Sequence, residues 1–368
     1  MASDSLGWVY QFWQTSKKEE VNRSEVKIGA KELPAVTQLF TEPYMVSFLL
    51  DNSLGAWWAA RRLTEEDFKN AASEEELREK ASIPGVPLEY LRFAQDDQGK
   101  WAPAAGRYEN WPEHLGELKT LDPCCGSGHF LVAALHMLVP MRMELEGLSA
   151  KDAIDAVLRE NLHGLEIDQR CVELAAFALA QAAWRYLGAG GYRVLPELNI
   201  ACSGQAIRVQ KDEWISFTDK NTNLNFVFEK LYDIFKDAPL LGSLINPEKT
   251  LREYSIYNFK TNEIKTLLKY AFSVAKDEEK IETAVYAYSI AKTASLLSNK
   301  YELIVTNVPY LSRIKQSEVI KNYCDKYYKD GKNDLANVFL YRCLEFTSKK
   351  NGYVQLVVPQ SWLFLTKY

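Results

Sequence analysis

The sequence predicts an α/β protein built on a Rossmann-like, doubly wound and mostly parallel sheet, with a helical region before it and a helical insertion inside it. Three observations predict this. From Leu118 onward, short apolar runs alternate with longer helical segments. A glycine turn, Asp122-Pro123-Cys124-Cys125-Gly126-Ser127-Gly128, joins the first run to the first apolar helix, and an acidic residue, Glu166, closes the second run.

Residues 1–110 read as an N-terminal helical region joined by loops. Thr41-Glu42-Pro43 has the pattern of a helix start, with a hydroxyl at the N-cap and proline just inside. Met45, Phe48 and Leu49 then recur at helical spacing, and a charged helical stretch from Thr64 to Ala81 ends at the Pro84-Gly85 turn. Residues 111–368 carry the alternating part. Strands are expected at Leu118–Asp122, Leu162–Ile167, Asn199–Cys202, Tyr301–Thr306 and Tyr353–Val358. Helices are expected at Phe130–Met143, apolar almost all round, at Gln169–Tyr186, which is rich in alanine, and near Asp334–Phe346.

An insertion at about 205–300 interrupts the alternation. Phe228, Leu231, Tyr232 and Phe235 mark one amphipathic helix in it, Ile264, Leu267, Leu268 and Ala271 a second, and Thr283–Leu297 a third. It is expected to pack against the sheet or a partner, and its function is not legible.

The composition is that of a globular protein, 47% hydrophobic and 25% charged, with 12% aromatic residues available for stacking. No apolar run approaches the ~18 residues of a membrane span, and the N-terminus lacks the basic start and apolar core of a signal peptide. A cytoplasmic location with no membrane partner is therefore expected. The six cysteines form no C-x-x-C pair, which points to free and mostly buried thiols, and the four histidines do not cluster. No metal site is expected.

The glycine turn sits where a strand ends and a helix begins, so the backbone can approach a ligand closely there. Leu131 stands where the dinucleotide fingerprint needs its third glycine, which disfavours a pyrophosphate. Asp122 instead suits a ligand carrying an ammonium, such as the methionine end of S-adenosylmethionine. Glu166, in Gly164-Leu165-Glu166-Ile167-Asp168, can accept from ribose hydroxyls, while Asp168 is better suited to capping the next helix. Glu166 lies further from Asp122 than one strand–helix–strand unit takes, and an inserted helix at about Ser149–Glu160 accounts for the excess.

Asn307-Val308-Pro309-Tyr310, directly after the strand Tyr301–Thr306, is the most diagnostic stretch. Methylation of an exocyclic amine needs acceptors that hold its hydrogens and aim its lone pair. The Asn307 oxygen and the Val308 carbonyl suit that task, Pro309 biases Val308 to an extended conformation, and Tyr310 offers a ring to stack on a base. A base inside a duplex must first be extruded to reach such a site. A net charge of −5 is unusual for a DNA-binding chain, because phosphate neutralisation supplies most nonspecific affinity. Positive charge does gather between Arg313 and Lys332, where Lys315, Lys321, Lys326 and Lys329 interleave with Tyr323, Tyr327 and Tyr328. A solvated helix face explains that pattern equally well.

These stretches, together with Gly7–Gln14, Leu33–Trp58, Lys332–Phe346 and Gly352–Phe364, resemble the γ-type adenine-N6 DNA methyltransferases, and most closely the PglX-type enzymes of BREX phage-defence systems. The resemblance covers most of residues 7–365. It implies the S-adenosylmethionine-dependent methyltransferase fold, with 111–368 as its catalytic domain, and methylation of the N6 amine of adenine in double-stranded DNA by base flipping. Other defence-system subunits are implied as partners. In this resemblance Thr41 contacts the cofactor from the N-terminal arm, Asp122, Gly126 and Gly128 hold its methionine part, Glu166 its ribose and Ile167 its adenine. Asp334 and Phe339 wall the pocket, and Asn307, Val308, Pro309 and Tyr310 hold the target adenine.

Two positions depart from the pattern. Val308 stands where proline is commoner, which leaves the carbonyl but adds a free N–H. Cys202-Ser203 stands where many relatives place an Asp for the cofactor's adenine amine, a bond that Ser203 accepts more weakly. The target-recognition part of γ-type enzymes follows the catalytic motifs, so this chain is expected to methylate DNA poorly and without useful sequence specificity by itself. Two other functions compete with this one: methylation of another planar amide or amine, such as protein glutamine, and non-catalytic binding of S-adenosylmethionine or a partner.

Overall fold

The computed structural model describes residues 27–37, 41–207, 209–216, 222–253, 278–348 and 352–360, with isolated positions between 9 and 23 and at 364. The second expected insertion helix, around Ile264–Ala271, lies outside the described residues, as do the stretches 1–8 and 365–368.

The N-terminal region departs from the expectation in four ways. Glu42, not Thr41, is the N-cap of helix Pro43–Leu50 and makes no side-chain capping bond, while the Thr41 hydroxyl accepts from Asn307. The helix then passes through a π turn, Asp51–Gly55, before Ala56–Arg62. The charged stretch is two helices, Glu65–Asn70 and Glu74–Ala81, since Thr64 and Ser73 each cap a new start by accepting from the backbone. Two short strands, β1 (Phe93–Gln95) and β2 (Trp101–Pro103), pair antiparallel in a region expected to be helical. Asn52 in the π turn ties this hairpin down by donating to the Tyr90 carbonyl and accepting from the Arg92 amide.

Five strands follow: β3 (Thr120–Asp122), β4 (Leu162–Glu166), β5 (Asn199–Cys202), β6 (Leu303–Asn307) and β7 (Tyr353–Val357). They form one parallel sheet in the order β5-β4-β3-β6-β7. The strand order reverses between β3 and β6, and at such a switch point an open α/β sheet leaves a crevice beyond its strand ends. Alternating residues divide the core between the two faces of the sheet. Leu303 and Val305 join the N-terminal helices and helix His129–Glu146 on one face, while Ile304, Leu121 and Leu165 face helices 278–298 and 335–346 on the other.

The extra distance between Asp122 and Glu166 is filled by helix Ala150–Ala156 and the π turn Val157–Asn161, at the place where an inserted helix was expected. Helix Glu278–Ser298 proves to be the crossover between β5 and β6. Thr293 donates to the Cys202 carbonyl, and Lys292 donates to the Leu198 carbonyl and to Glu197. Among the described residues, no helix is long and apolar enough to cross a membrane, and no group of three or more His, Cys, Asp or Glu is placed to hold a metal.

Candidate active site

Asp122 is the last residue of β3, Glu166 of β4 and Asn307 of β6, and Ser203 follows β5 directly. Parallel neighbours lie about 4.8 Å apart, so the strand order sets these side chains in the row Ser203, Glu166, Asp122, Asn307. Glu166, Ser203 and Asn307 line a cleft of about 690 Å³, part of it open to solvent. Asp122 lies just beneath, 1% exposed.

Local sequence explains how each group is held. The turn after β3 needs glycine at two positions, for different reasons. Gly126 has φ +52 with open space where a Cβ would point, and it lines the cleft. Gly128 has φ +89 and its Cβ would sit 3.0 Å from both Cα and Cβ of Ala175. Gly128 therefore starts helix His129–Glu146 in a left-handed conformation and lets helix Gln169–Arg185 pack against the turn; it does not line the cleft.

Asp122 accepts from the Cys124 amide through Oδ1 (3.1 Å), while its Oδ2 is buried with no hydrogen-bond partner. Burial drives its carboxyl up to about 7, and the charge of Glu166 adds to this. The nearby Thr306 hydroxyl, itself outside hydrogen-bonding geometry, and the Cys124 amide oppose it. Glu166 accepts from the Gly126 amide through Oε2 (2.9 Å) and from the Ile167 and Asp168 amides through Oε1 (2.8 and 3.1 Å). One lone-pair site, on Oε2, is left over. Burial raises the Glu166 carboxyl as well, against the pull of these amides. Among the described residues, no lysine or arginine is a main contributor to the shift of either carboxylate. A buried and a half-buried acid at neighbouring strand ends favour a ligand that brings positive charge and hydroxyls.

Asn307 is half-buried at the other end of the row. Its amide nitrogen donates to the Thr41 hydroxyl (3.1 Å), and its oxygen accepts from the Tyr310 hydroxyl (2.9 Å). Tyr310 also reaches the Val357 carbonyl at the end of β7 (3.1 Å), and burial pushes its phenol up to about 12. Pro309 lines the cleft, and Val308 is 1% exposed with its side chain in the core.

The structure thus brings Gly126, Glu166, Ile167, Ser203, Asn307, Pro309 and Phe339 to one cleft. Asp334 is not in its lining; its carboxylate caps helix Leu335–Phe346 by accepting from the Ala336 amide. Asp168 caps helix Gln169–Arg185. The basic stretch is partly paired from within. Arg313 and Lys332 share Asp325, Lys321 pairs with Glu318, and Lys326 donates to the Tyr327 hydroxyl.

Sequence reasoning missed two parts of the wall. Leu33, Pro34 and Thr37 come from the N-terminal arm, and Leu240 to Leu244 come from the insertion. The only signal for the second was Gly242, a glycine in an otherwise apolar stretch.

The Eco57I restriction-modification methylase model matches residues 160–368, more than half of the chain and the part that carries Glu166, Ser203 and Asn307. The chain is similar to the adenine-specific methyltransferase PglX of Lacticaseibacillus casei (strain Zhang), with 25% identity over 99% of this chain and 28% of the relative. It is likewise similar to the adenine-specific methyltransferase BrxX of Escherichia coli O9:H4 (strain HS), with 27% identity over 99% of this chain and 30% of the relative. A PglX of Streptomyces coelicolor is 39% identical over 82 residues, 22% of this chain and 6% of that protein. The chain spans less than a third of the length of the first two relatives. A model that matches more than half of the chain shows its family: the chain belongs to the Eco57I restriction-modification methylase family.

Proposed function

We propose that this chain binds S-adenosylmethionine in the cleft and directs its methyl group to the N6 amine of adenine in DNA, within a restriction-modification or phage-defence system. The observation that carries the reading is Asn307, set at a strand end on a cleft that Glu166 also lines, with the buried Asp122 at the strand end between them. The PglX and BrxX relatives, both named adenine-specific methyltransferases, support the choice of substrate.

The residues present fit that cofactor. The unpartnered Oδ2 of Asp122 suits an ammonium, the spare lone pair of Glu166 a ribose hydroxyl, and the half-buried Ile167 an apolar ring face. Gly126 leaves room for close approach. Once bound, the cofactor supplies a methyl group activated by its sulfonium. The chain's own part is alignment. Asn307 keeps one lone pair free on Oδ1 after accepting from Tyr310, and this lone pair receives one amine hydrogen. The Val308 carbonyl receives the other, and the Tyr310 ring stacks on a base taken out of the duplex.

The test measures cofactor binding by calorimetry and methyl transfer to adenine-containing duplex DNA and to protein. Asn307→Ala should lower transfer to DNA about 100-fold or more, as expected when a reacting amine loses its alignment, with cofactor affinity nearly unchanged. Wild-type turnover in that variant, or transfer to protein glutamine in place of DNA, overturns the proposal.

A further inference from the structure

We propose that the insertion contributes a recognition element for the purine end of the cofactor: the turn Gly242-Ser243-Leu244, whose Ser243 hydroxyl acts with Ser203 on the purine's exocyclic amine. This rests on the reading of the cleft as an S-adenosylmethionine site.

The strand order supplies the first argument. Transfer takes place at Asn307 on β6 and the ribose lies at Glu166 on β4, so the purine extends onward to the strand beyond β4, which is β5. Ser203 follows β5, and it is joined by a group from outside the sheet. The Ser243 hydroxyl donates to the Ser203 hydroxyl at 3.1 Å, both serines are buried, and both line the cleft beside Ile167. Two hydroxyls in contact use one proton and one lone pair between them. One proton and three lone pairs remain, enough to accept from an amine and donate to a neighbouring ring nitrogen. The pair thus supplies the acceptor that a single Asp would otherwise provide at the end of β5.

The second argument is that this turn is held in place. Gly242 has φ +48, and a Cβ there would approach Ile167 at 3.1 Å and the Ser203 hydroxyl at 3.3 Å. The three carbonyls that follow are each tied by a side chain, two by the buried Arg342 and one by the half-buried Tyr323. Arg342, 1% exposed, donates through Nε to the Ser243 carbonyl (3.0 Å) and through Nη2 to the Ile245 carbonyl (2.7 Å). Tyr323 donates to the Leu244 carbonyl (2.9 Å). A loop serving only as a connector has no need of such a clamp, whereas a ligand-reading hydroxyl must be preorganised.

The experiment compares two ligands by calorimetry, S-adenosylhomocysteine and its analogue with hydrogen in place of the purine amine, on wild type, Ser243→Ala and Glu166→Gln. Ser243→Ala should weaken the adenosyl ligand by about 3–10-fold, the effect of one hydrogen bond, and leave the amine-free analogue unchanged. Glu166→Gln should weaken both ligands equally. Equal loss of both ligands in Ser243→Ala, or no loss, overturns the purine assignment while the cofactor site stands. Failure of wild type to bind either ligand overturns the cofactor site itself.

Discussion

The two glycines of the turn after β3 separate binding from folding two positions apart. Alanine at Gly128 meets two penalties. A residue with a Cβ in a left-handed conformation costs about 1–2 kcal/mol. The added methyl, 3.0 Å from Cα and Cβ of Ala175, meets backbone that cannot swing aside, and overpacking of this kind costs about 1–3 kcal/mol. Gly128→Ala should therefore destabilise the chain by about 2–5 kcal/mol. At Gly126 only the first penalty applies, because nothing lies within 4 Å of the added Cβ. Gly126→Ala should cost about 1–2 kcal/mol of stability, but its methyl occupies the cleft and should weaken S-adenosylmethionine binding the more strongly of the two. Urea unfolding followed by circular dichroism, with calorimetry on the same preparations, reads both quantities. A Gly128→Ala variant as stable as Gly126→Ala refutes the packing argument, and unaltered cofactor affinity in Gly126→Ala refutes the cleft assignment.

Asp122 should make cofactor binding depend on pH. Its carboxyl titrates near 7 when the cleft is empty, and an ammonium favours the ionised form, so affinity should rise with pH up to about 7 and then level off, with proton release on binding below that point. Asp122→Asn should lose this dependence, and calorimetry in buffers of different ionisation heat checks it. The sign for folding is opposite. The raised carboxyl makes the unliganded fold less stable as pH climbs from the unfolded value toward 7, so Asp122→Asn should gain stability over wild type at pH 8 more than at pH 4. Thr41 should act through Asn307. Thr41→Ala and Thr41→Val should each lower kcat about 5–10-fold, and Thr41→Ser should restore it. Cofactor affinity should stay level in all three, and a weakened affinity with kcat preserved would assign Thr41 to the cofactor instead.

Local pattern was enough for much of this protein. Strand β6 and its closing Asn307, the glycine turn after β3 and the acid ending β4 are all legible, because a parallel strand buried on both faces is a short apolar run whose end is marked by a change of chemistry. Even the helix Ala150–Ala156 was readable from an excess of chain between two strand ends. The hairpin β1–β2 was not. Its strands are three residues each, too short to show a period, and they are held by Asn52 from a distant turn.

What tertiary structure decided is which chemistry meets which. The Thr41 hydroxyl has the local signature of a helix cap, yet it bonds Asn307 across 266 positions of sequence. Gly128 reads as a ligand-facing glycine, yet its missing side chain makes room for Ala175. The Gly242-Ser243-Leu244 turn had no visible purpose until the strand order brought β5 to the far end of the cleft. A sequence records the backbone's local preferences, which depend on neighbours a few residues away. The partners of a strand end depend on the order in which strands pair, and that order is set by the packing of the whole sheet.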